Sequence, residues 1–178
     1  MSLNKSYTFL NARQAKEEDF IQLTRLLETH FETNQDVNQM QINDANTNWI
    51  RDNFPECLHI IVIENKVIGV TLIFPSTCSL MQDFVSGKIS EATLGEKSKE
   101  EIRHYDDMEA IYICFAFVLS EHRRQGLSFT SMLKSIQAIL PSHKRIDLFG
   151  WIFSAAGGEL TKKLSDALKL NLFCREAS

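Results

Sequence analysis

The sequence predicts an α/β fold with a mixed central sheet and helices on both faces. Residues 110–119 form an uncharged run rich in β-branched and aromatic side chains, as expected of a strand buried on both faces. A similar run at 145–153 follows a helical stripe, so the two strands should be parallel and joined by a right-handed crossover. Two earlier β-rich runs, 58–63 and 67–74, are separated by a short polar turn, which is typical of an antiparallel hairpin.

The chain before the hairpin predicts a strand and two helices. Residues 7–12 alternate weakly and indicate the strand. Apolar residues recur at helical spacing over 16–31, and Glu17, Glu18 and Asp19 stand at the N-terminal end, where the helix dipole favours acids. A second helix is predicted over 43–53, before Pro55.

The hairpin and the segment after it differ sharply in character. Gly69, inside the second hairpin strand, predicts either a bulge or a close approach of another chain segment. Residues 75–107 are mostly polar, and we interpret them as an insertion or excursion holding one or two helices, one of them at 79–85. A long polar stretch of this kind is often functional or mobile. The alternative is a surface excursion without a function of its own.

The last third of the chain predicts a helix, a strand, a helix and a strand. The crossover helix carries an apolar stripe from Phe129 to Leu140 and is ended by Pro141. After the strand at 145–153, a last helix is expected over 159–168 and a short strand over 170–174. With 178 residues and no evident linker, the chain should form one domain, 1–178.

Composition excludes several classes of function. A net charge of −4 and a pI of about 5.7 argue against nucleic-acid binding. The four cysteines are widely spaced and the histidines form no ligand pattern, so no metal or disulfide framework is expected. The sequence has no signal-like N-terminus and no apolar run long enough to cross a membrane, so we expect a cytoplasmic protein with reduced thiols.

The most informative segment lies between the strand at 110–119 and the crossover helix. It reads Ser-Glu-His-Arg-Arg-Gln-Gly-Leu-Ser over residues 120–128. A helix N-terminus presents unpaired backbone N–H groups and partial positive charge, which together bind phosphate. Gly126 permits a positive φ or a close approach to a ligand, and Arg123 and Arg124 add donors suited to phosphate oxygens. The alternative is a solvated basic loop with a glycine turn.

This segment resembles the acyl-CoA pyrophosphate loop of the GNAT N-acetyltransferases, whose core is Gln/Arg-x-x-Gly-x-Gly/Ala. Arg123 and Gly126 match that core, Ser128 replaces its last small residue, and Ser120 replaces a proline that often precedes it. The order of the elements also resembles the GNAT fold along most of the chain. The resemblance implies an N-acetyltransferase that uses acetyl-CoA as co-substrate and an amine as acceptor, with no metal.

The resemblance also implies where acetyl-CoA would bind. Two parallel strands that separate would offer backbone groups to pantetheine. Here those backbone groups would come from the strand at 110–119. The pyrophosphate would lie on the loop, and the Asn often found after the fifth strand is a serine here. The implied cofactor-binding residues are Phe117, Val118, Arg123, Arg124, Gln125, Gly126, Leu127, Ser128 and Ser154.

The catalytic groups are where this sequence departs from the family. The glutamate that often serves as base on the fourth strand is replaced by Tyr112, and the nearest carboxylate is Glu109. We therefore predict Glu109, or a water held by Glu109 and Tyr112, as the base. Alternation along the strand should place Tyr112, Cys114 and Val118 on one face, with Cys114 as a core thiol. Asp106 and Asp107 would add to an acidic mouth that attracts a cationic acceptor, or form a solvated loop.

The family's acid is also absent. The last helix has no tyrosine, and its hydroxyls, on Thr161 and Ser165, are not expected to act as an essential acid. The chain could therefore be a GNAT-like sensory or interaction module that binds CoA without turnover, or a protein whose loop binds another anion. Room for one strand after the last helix, where the family commonly has two, suggests either a trimmed end or a partner chain that completes the sheet edge, as in a homodimer.

Overall fold

The computed structural model describes residues 6–30, 38–40 and 43–176, and within them six strands form one mixed sheet. Spatial order follows chain order; neighbours from β1 to β4 are antiparallel, whereas β4, β5 and β6 are parallel. The strands are β1 (Thr8–Asn11), β2 (Leu58–Ile63), β3 (Lys66–Ser76), β4 (Ala110–Val118), β5 (Asp147–Ile152) and β6 (Leu172–Glu176). The helices are α1 (Glu17–His30), α2 (Asp44–Asn53), α3 (Cys78–Val85), α4 (Glu91–Glu101), α5 (Leu127–Ile139) and α6 (Ala155–Leu168).

The predicted α/β fold and the order of its elements are confirmed. The described part of helix α1 ends at His30, and the predicted last residue of that helix, Phe31, lies outside the described residues. Helix α6 begins at Ala155, one turn earlier than the apolar stripe indicated, because Ser154 caps it by accepting from the Gly157 N–H. None of the helices in the described ranges has the length and apolar character needed to cross a membrane.

The sheet is covered by helices on both faces. Alternate residues of β2 fall into two clusters of buried side chains: Ile60 belongs to the larger one, and Ile61 to a smaller one that includes Val118. Helix α5 packs on the sheet face that carries Ile61. His59 lies on the same face, and its Nδ1 is 3.1 Å from Ser135 Oγ of α5. Helix α1 contributes buried leucines to the larger cluster.

The hairpin of β2 and β3 closes through a two-residue turn. Glu64 and Asn65 both adopt left-handed backbone conformations, with φ of 49° and 61°. Positive φ at both central residues matches the twist of a hairpin. The predicted three-residue turn is therefore one residue shorter, and Lys66 begins β3.

Gly69 satisfies both expectations placed on it. A Cβ atom at this position would lie 2.5 Å from the carbonyl oxygen of Phe117 on β4. The β2–β3 register also shifts beside it, since Ile61 pairs with Gly69 and Val62 with Val67, which leaves one extra residue in β3. The glycine therefore allows β3 to lie unusually close to β4.

The segment between β3 and β4 contributes to the core. Its first residues, Pro75 and Ser76, extend β3, and helices α3 and α4 follow. Leu94 of α4 and Ile102 after it are fully buried within the larger cluster.

We predict that Gly69→Ala destabilises the protein by about 2 kcal/mol or more, because the new Cβ would press against the β4 backbone. Gly150→Ala is the matched control: it is also a strand glycine, but its nearest contact would be an ordinary 3.6 Å. Urea unfolding of both variants measures the difference. Equal stability of the two would contradict the close β3–β4 approach.

We predict that stability falls below about pH 6.5 because of His59. Burial lowers the pKa of this histidine, and the nearby Glu56 carboxylate only partly opposes the effect. The unfolded chain takes up a proton near pH 6.5 while the folded chain does not, so folding loses up to about 1.4 kcal/mol per pH unit below that point. Urea unfolding between pH 7.5 and pH 5 measures how the free energy of unfolding changes with pH. The His59→Gln variant should show a smaller change than the wild type. The control, His143→Gln at an exposed histidine, should show the wild-type change.

Candidate active site

Strands β4 and β5 part halfway along β4. Their parallel pairing runs from Ala110 opposite Asp147 to Ile113 opposite Gly150 and then stops, although β4 continues to Val118. From Phe115 onward, β4 pairs with β3 alone in the described chain. Its backbone N–H and C=O groups on the other side can therefore bond a ligand.

A β-bulge marks the point of separation. Leu72 of β3 pairs with Phe115, and Ile73 pairs with Ile113, so Cys114 is an extra residue in β4. Bulges bend a strand and re-aim its side chains, and they are common beside functional sites. This bulge turns β4 away from β5.

The separation opens a cleft of about 760 Å³ between β4, the basic loop, the start of α5 and the first half of α6. Eight of the nine residues predicted to bind the cofactor line it: Phe117, Val118, Arg123, Arg124, Gly126, Leu127, Ser128 and Ser154. The ninth, Gln125, does not. Within the described residues, no group of histidine, cysteine and carboxylate side chains is arranged to hold a metal ion.

The loop backbone directs the N-terminus of α5 at this cleft. Gly126 precedes the helix with φ of 72°, as its sequence position predicted, and no side chain caps the helix start. The N–H groups of the first turn therefore stay available for an anion. Arg124 also takes a left-handed φ, of 63°, which its residue type does not indicate.

Arg123 joins the loop to the end of β4. Its Nε donates to the Val118 carbonyl oxygen at 2.8 Å, and its guanidinium lies 5.9 Å from the centre of the Phe117 ring. Arg123 thus holds the loop against the strand as well as placing positive charge at the cleft.

The outer side of the loop is braced by a residue that the sequence analysis missed. The Tyr7 hydroxyl donates to Gln125 Oε1 at 2.6 Å and lies 3.3 Å from His122 Nδ1. This explains why Gln125 faces away from the cleft. Tyr7 is more than a hundred residues away in sequence, and nothing in its neighbourhood marks it as a partner of the loop.

The α6 wall of the cleft carries one exposed ion pair, with Lys163 Nζ 3.9 Å from Glu159 Oε2, and its hydroxyl groups are bonded to the backbone. Thr161 is buried and its hydroxyl donates to the Gly157 carbonyl oxygen at 2.7 Å. Ser165 donates to the Leu170 carbonyl oxygen at 2.8 Å. On β5, Trp151 lines the cleft, and its buried Nε1 is an orphan donor among the described residues.

Glu109 does not lie at the cleft. It is exposed and precedes β4, about 16 Å along the strand from Cys114 at the usual rise per residue. Its Oε2 accepts from the Cys78 N–H at 3.0 Å, at the start of α3. Asp107 accepts from the N–H groups of Arg103 and His104, which lowers the pKa of its carboxyl. These acids stabilise turns and helix starts at the opposite end of β4, so they form no mouth to this cleft.

Tyr112 is also absent from the cleft wall. It is fully buried, and its hydroxyl donates to Glu91 Oε1 at 2.6 Å. Burial, then Cys114 and Glu91, raise the pKa of Tyr112 well above its usual value.

The expectation that Tyr112, Cys114 and Val118 share one face is wrong for Val118. Tyr112 and Cys114 both contact Glu91, whereas Val118 belongs to the cluster on the other face. The regular alternation of side chains between the two faces is interrupted because the bulge adds one residue between Tyr112 and Val118.

The left-handed Arg124 generates a test of the loop geometry. Arg124→Gly and Arg124→Ala remove the same charge, but only glycine adopts positive φ freely. We therefore expect the alanine variant to be less stable by about 1 kcal/mol in urea unfolding. At the exposed Arg103, which is not left-handed, the order should reverse. If the glycine and alanine variants had the same order of stability at both positions, the left-handed backbone of Arg124 would be contradicted.

The chain is similar to known proteins in structure, while its sequence matches none of the known families. No family model matches the sequence, and no curated protein matches it either. Among solved structures, the diaminobutyrate acetyltransferase of Paenibacillus lautus, in complex with its substrate and coenzyme A, is 13% identical, with a TM-score of 0.51 over 93% of this chain and 75% of its own.

Two further structures give the same result. The polyamine N-acetyltransferase of Drosophila melanogaster is 13% identical, with a TM-score of 0.51 over 90% of this chain and 82% of its own. An agmatine N-acetyltransferase gives 13% and 0.51 over 89% and 81%. With its parted parallel strands and its glycine-led helix beyond them, this chain has the fold of the GNAT N-acetyltransferases.

Proposed function

We propose that the protein is an acetyl-CoA-dependent N-acetyltransferase that transfers an acetyl group directly to a primary amine. The observation that carries the proposal is the opening between β4 and β5 beside the uncapped start of α5. Its volume of about 760 Å³ suits a cofactor-sized ligand. The structural neighbours support the general reaction, since they are N-acetyltransferases.

The loop supplies the chemistry that a pyrophosphate requires. The first N–H groups of α5, from Leu127 and Ser128, would donate to its oxygens in the favourable field of the helix dipole. Arg124 would add charge-assisted hydrogen bonds. Arg123, bonded to the Val118 carbonyl, would keep the loop at the distance that a bridging ligand needs.

The side of β4 that no longer pairs with β5 supplies the rest of the binding site. Backbone groups from Cys114 to Val118 would bond the amides of pantetheine in place of the missing strand. A β4 N–H aimed at the thioester oxygen would stabilise the negative charge that develops there during attack. The acceptor nitrogen must be neutral to attack, so a base must first take its proton.

A second candidate function is CoA binding without turnover. The observation that favours it is that the Thr161 hydroxyl, which lines the cleft from α6, already donates to the Gly157 carbonyl oxygen and so does not serve as an acid for the departing thiolate. A thiolate can leave without a side-chain acid, so turnover stays the leading proposal.

The loop assignment predicts the effect of removing one arginine. Arg124→Gly, which retains the loop conformation, should weaken acetyl-CoA binding by about ten- to a hundredfold through the loss of one charge-assisted interaction. Arg103→Gly, an exposed arginine at the other end of β4, is the charge-matched control. Isothermal titration calorimetry measures the acetyl-CoA affinity of both variants. Equal affinities would contradict the placement of the pyrophosphate at this loop.

Turnover and binding are separated by release of free thiol. We expect acetyl-CoA with a panel of small amines and lysine peptides to yield CoA faster than either component alone. Binding in calorimetry without thiol release from any amine would favour the second candidate. The absence of both would overturn the proposed function.

A further inference from the structure

One buried carboxylate lies immediately behind the cleft wall. Glu91, the first residue of α4, is 8% exposed and is the only acidic residue among the buried polar side chains of the described chain. It is 21 residues before Tyr112 and 23 before Cys114, so neither strand alternation nor loop spacing pointed to it.

Both oxygens of this carboxylate accept hydrogen bonds. Oε1 accepts from the Tyr112 hydroxyl at 2.6 Å, and Oε2 accepts from the backbone N–H of Met40 at 3.0 Å. The start of α4 adds the favourable potential of a helix N-terminus. These interactions offset the cost of burying a carboxylate, and they hold it in one orientation.

The same Oε1 contacts the residue at which the cleft opens. Cys114 Sγ lies 3.8 Å from it, and Cys114 is both the bulged residue of β4 and part of the cleft wall. A single side chain therefore separates the carboxylate from the point where β4 leaves β5. The proposed transfer would take place at this point, beside the part of β4 that no longer pairs with β5.

We propose that Glu91 is the proton acceptor of the transfer reaction, reached from the acceptor amine through one water beside Cys114. The inference rests on the proposed function and names a residue for its unassigned base. It places the base on the excursion between β3 and β4, and it replaces Glu109 in that role.

The proton and electron balance is as follows. The ammonium gives one proton through the water to the Glu91 carboxylate and becomes a neutral amine. The nitrogen lone pair then forms the C–N bond, the C–S bond breaks, and its electron pair leaves on sulfur. The second nitrogen proton goes to the thiolate, and Glu91 later returns its proton to solvent.

The other titratable groups facing this carboxylate do not compete as bases. From β4, Tyr112 and Cys114 both have pKa values raised well above their usual ranges, chiefly by burial, so both stay protonated. From β6, the positive charge of Arg175 opposes the rise in the pKa of Tyr112 only in part, and its guanidinium lies 4.4 Å from the centre of the Trp151 ring and 5.0 Å from that of Phe84.

The test uses the full chain, acetyl-CoA and the best amine from the panel. Glu91→Gln should lower kcat/KM by about 10²- to 10⁴-fold and abolish the acidic limb of its pH profile. Acetyl-CoA affinity in calorimetry should stay within twofold. Glu100→Gln, an exposed acid of the same helix, is the matched control and should keep wild-type values.

A second variant separates proton transfer from a purely structural role. Tyr112→Phe removes a donor to the charged carboxylate but leaves Glu91 in place, so the acidic limb should move about one pH unit higher. The infrared carboxylate band lost in Glu91→Gln should titrate over the same range in the wild type. This variant also serves if Glu91→Gln fails to fold.

The outcomes are distinct. A wild-type pH profile in a folded Glu91→Gln, or an unmoved acidic limb in Tyr112→Phe, overturns the inference while the proposed function stands. Loss of the acidic limb in Glu109→Gln instead would return the base to the start of β4. Acetyl-CoA binding without turnover by the wild type overturns the inference together with the proposed reaction, but leaves the loop assignment intact.

Discussion

The parting of β4 from β5 after Ile113 is the constraint on which the candidate site depends. A strand that loses one neighbour exposes backbone polar groups, and it keeps its shape only if the other neighbour holds it. Here β3 pairs with β4 as far as Val118, and Gly69 allows the close approach that this requires. The cleft is therefore a property of the sheet, and the loop and α6 only complete its walls.

The sequence predicted the fold and most of the residues that line the cleft because both depend on local signals. The uncharged run of β4, the stripe of α5 and Gly126 at the helix start each report their own structure. The left-handed φ of Gly126 follows from the residue itself, since glycine adopts it without a Cβ clash.

The predicted catalytic residues, Glu109 and Tyr112, do not line the cleft. Their positions depend on strand register and on contacts between residues that are distant in sequence. Every residue from Ile111 to Val118 is apolar, so no polar alternation marks the extra residue at Cys114. Faces inferred across that point were therefore inverted for Val118. Glu91 contacts β4 and Tyr7 contacts the basic loop through tertiary interactions that no spacing rule encodes. Glu109 was chosen for its nearness in sequence, and the structure uses its carboxylate at the start of α3.

The contact between Glu91 and Tyr112 has a consequence for how such proteins diverge. A carboxylate that reaches the central strand from a neighbouring helix frees the strand position itself to become aromatic, and the two positions are then bound to change together. A relative with an acid in place of the tyrosine would hold two carboxylates in one buried place, which like-charge repulsion disfavours. Aligned relatives should therefore carry the acid on the strand or on the helix, and seldom on both.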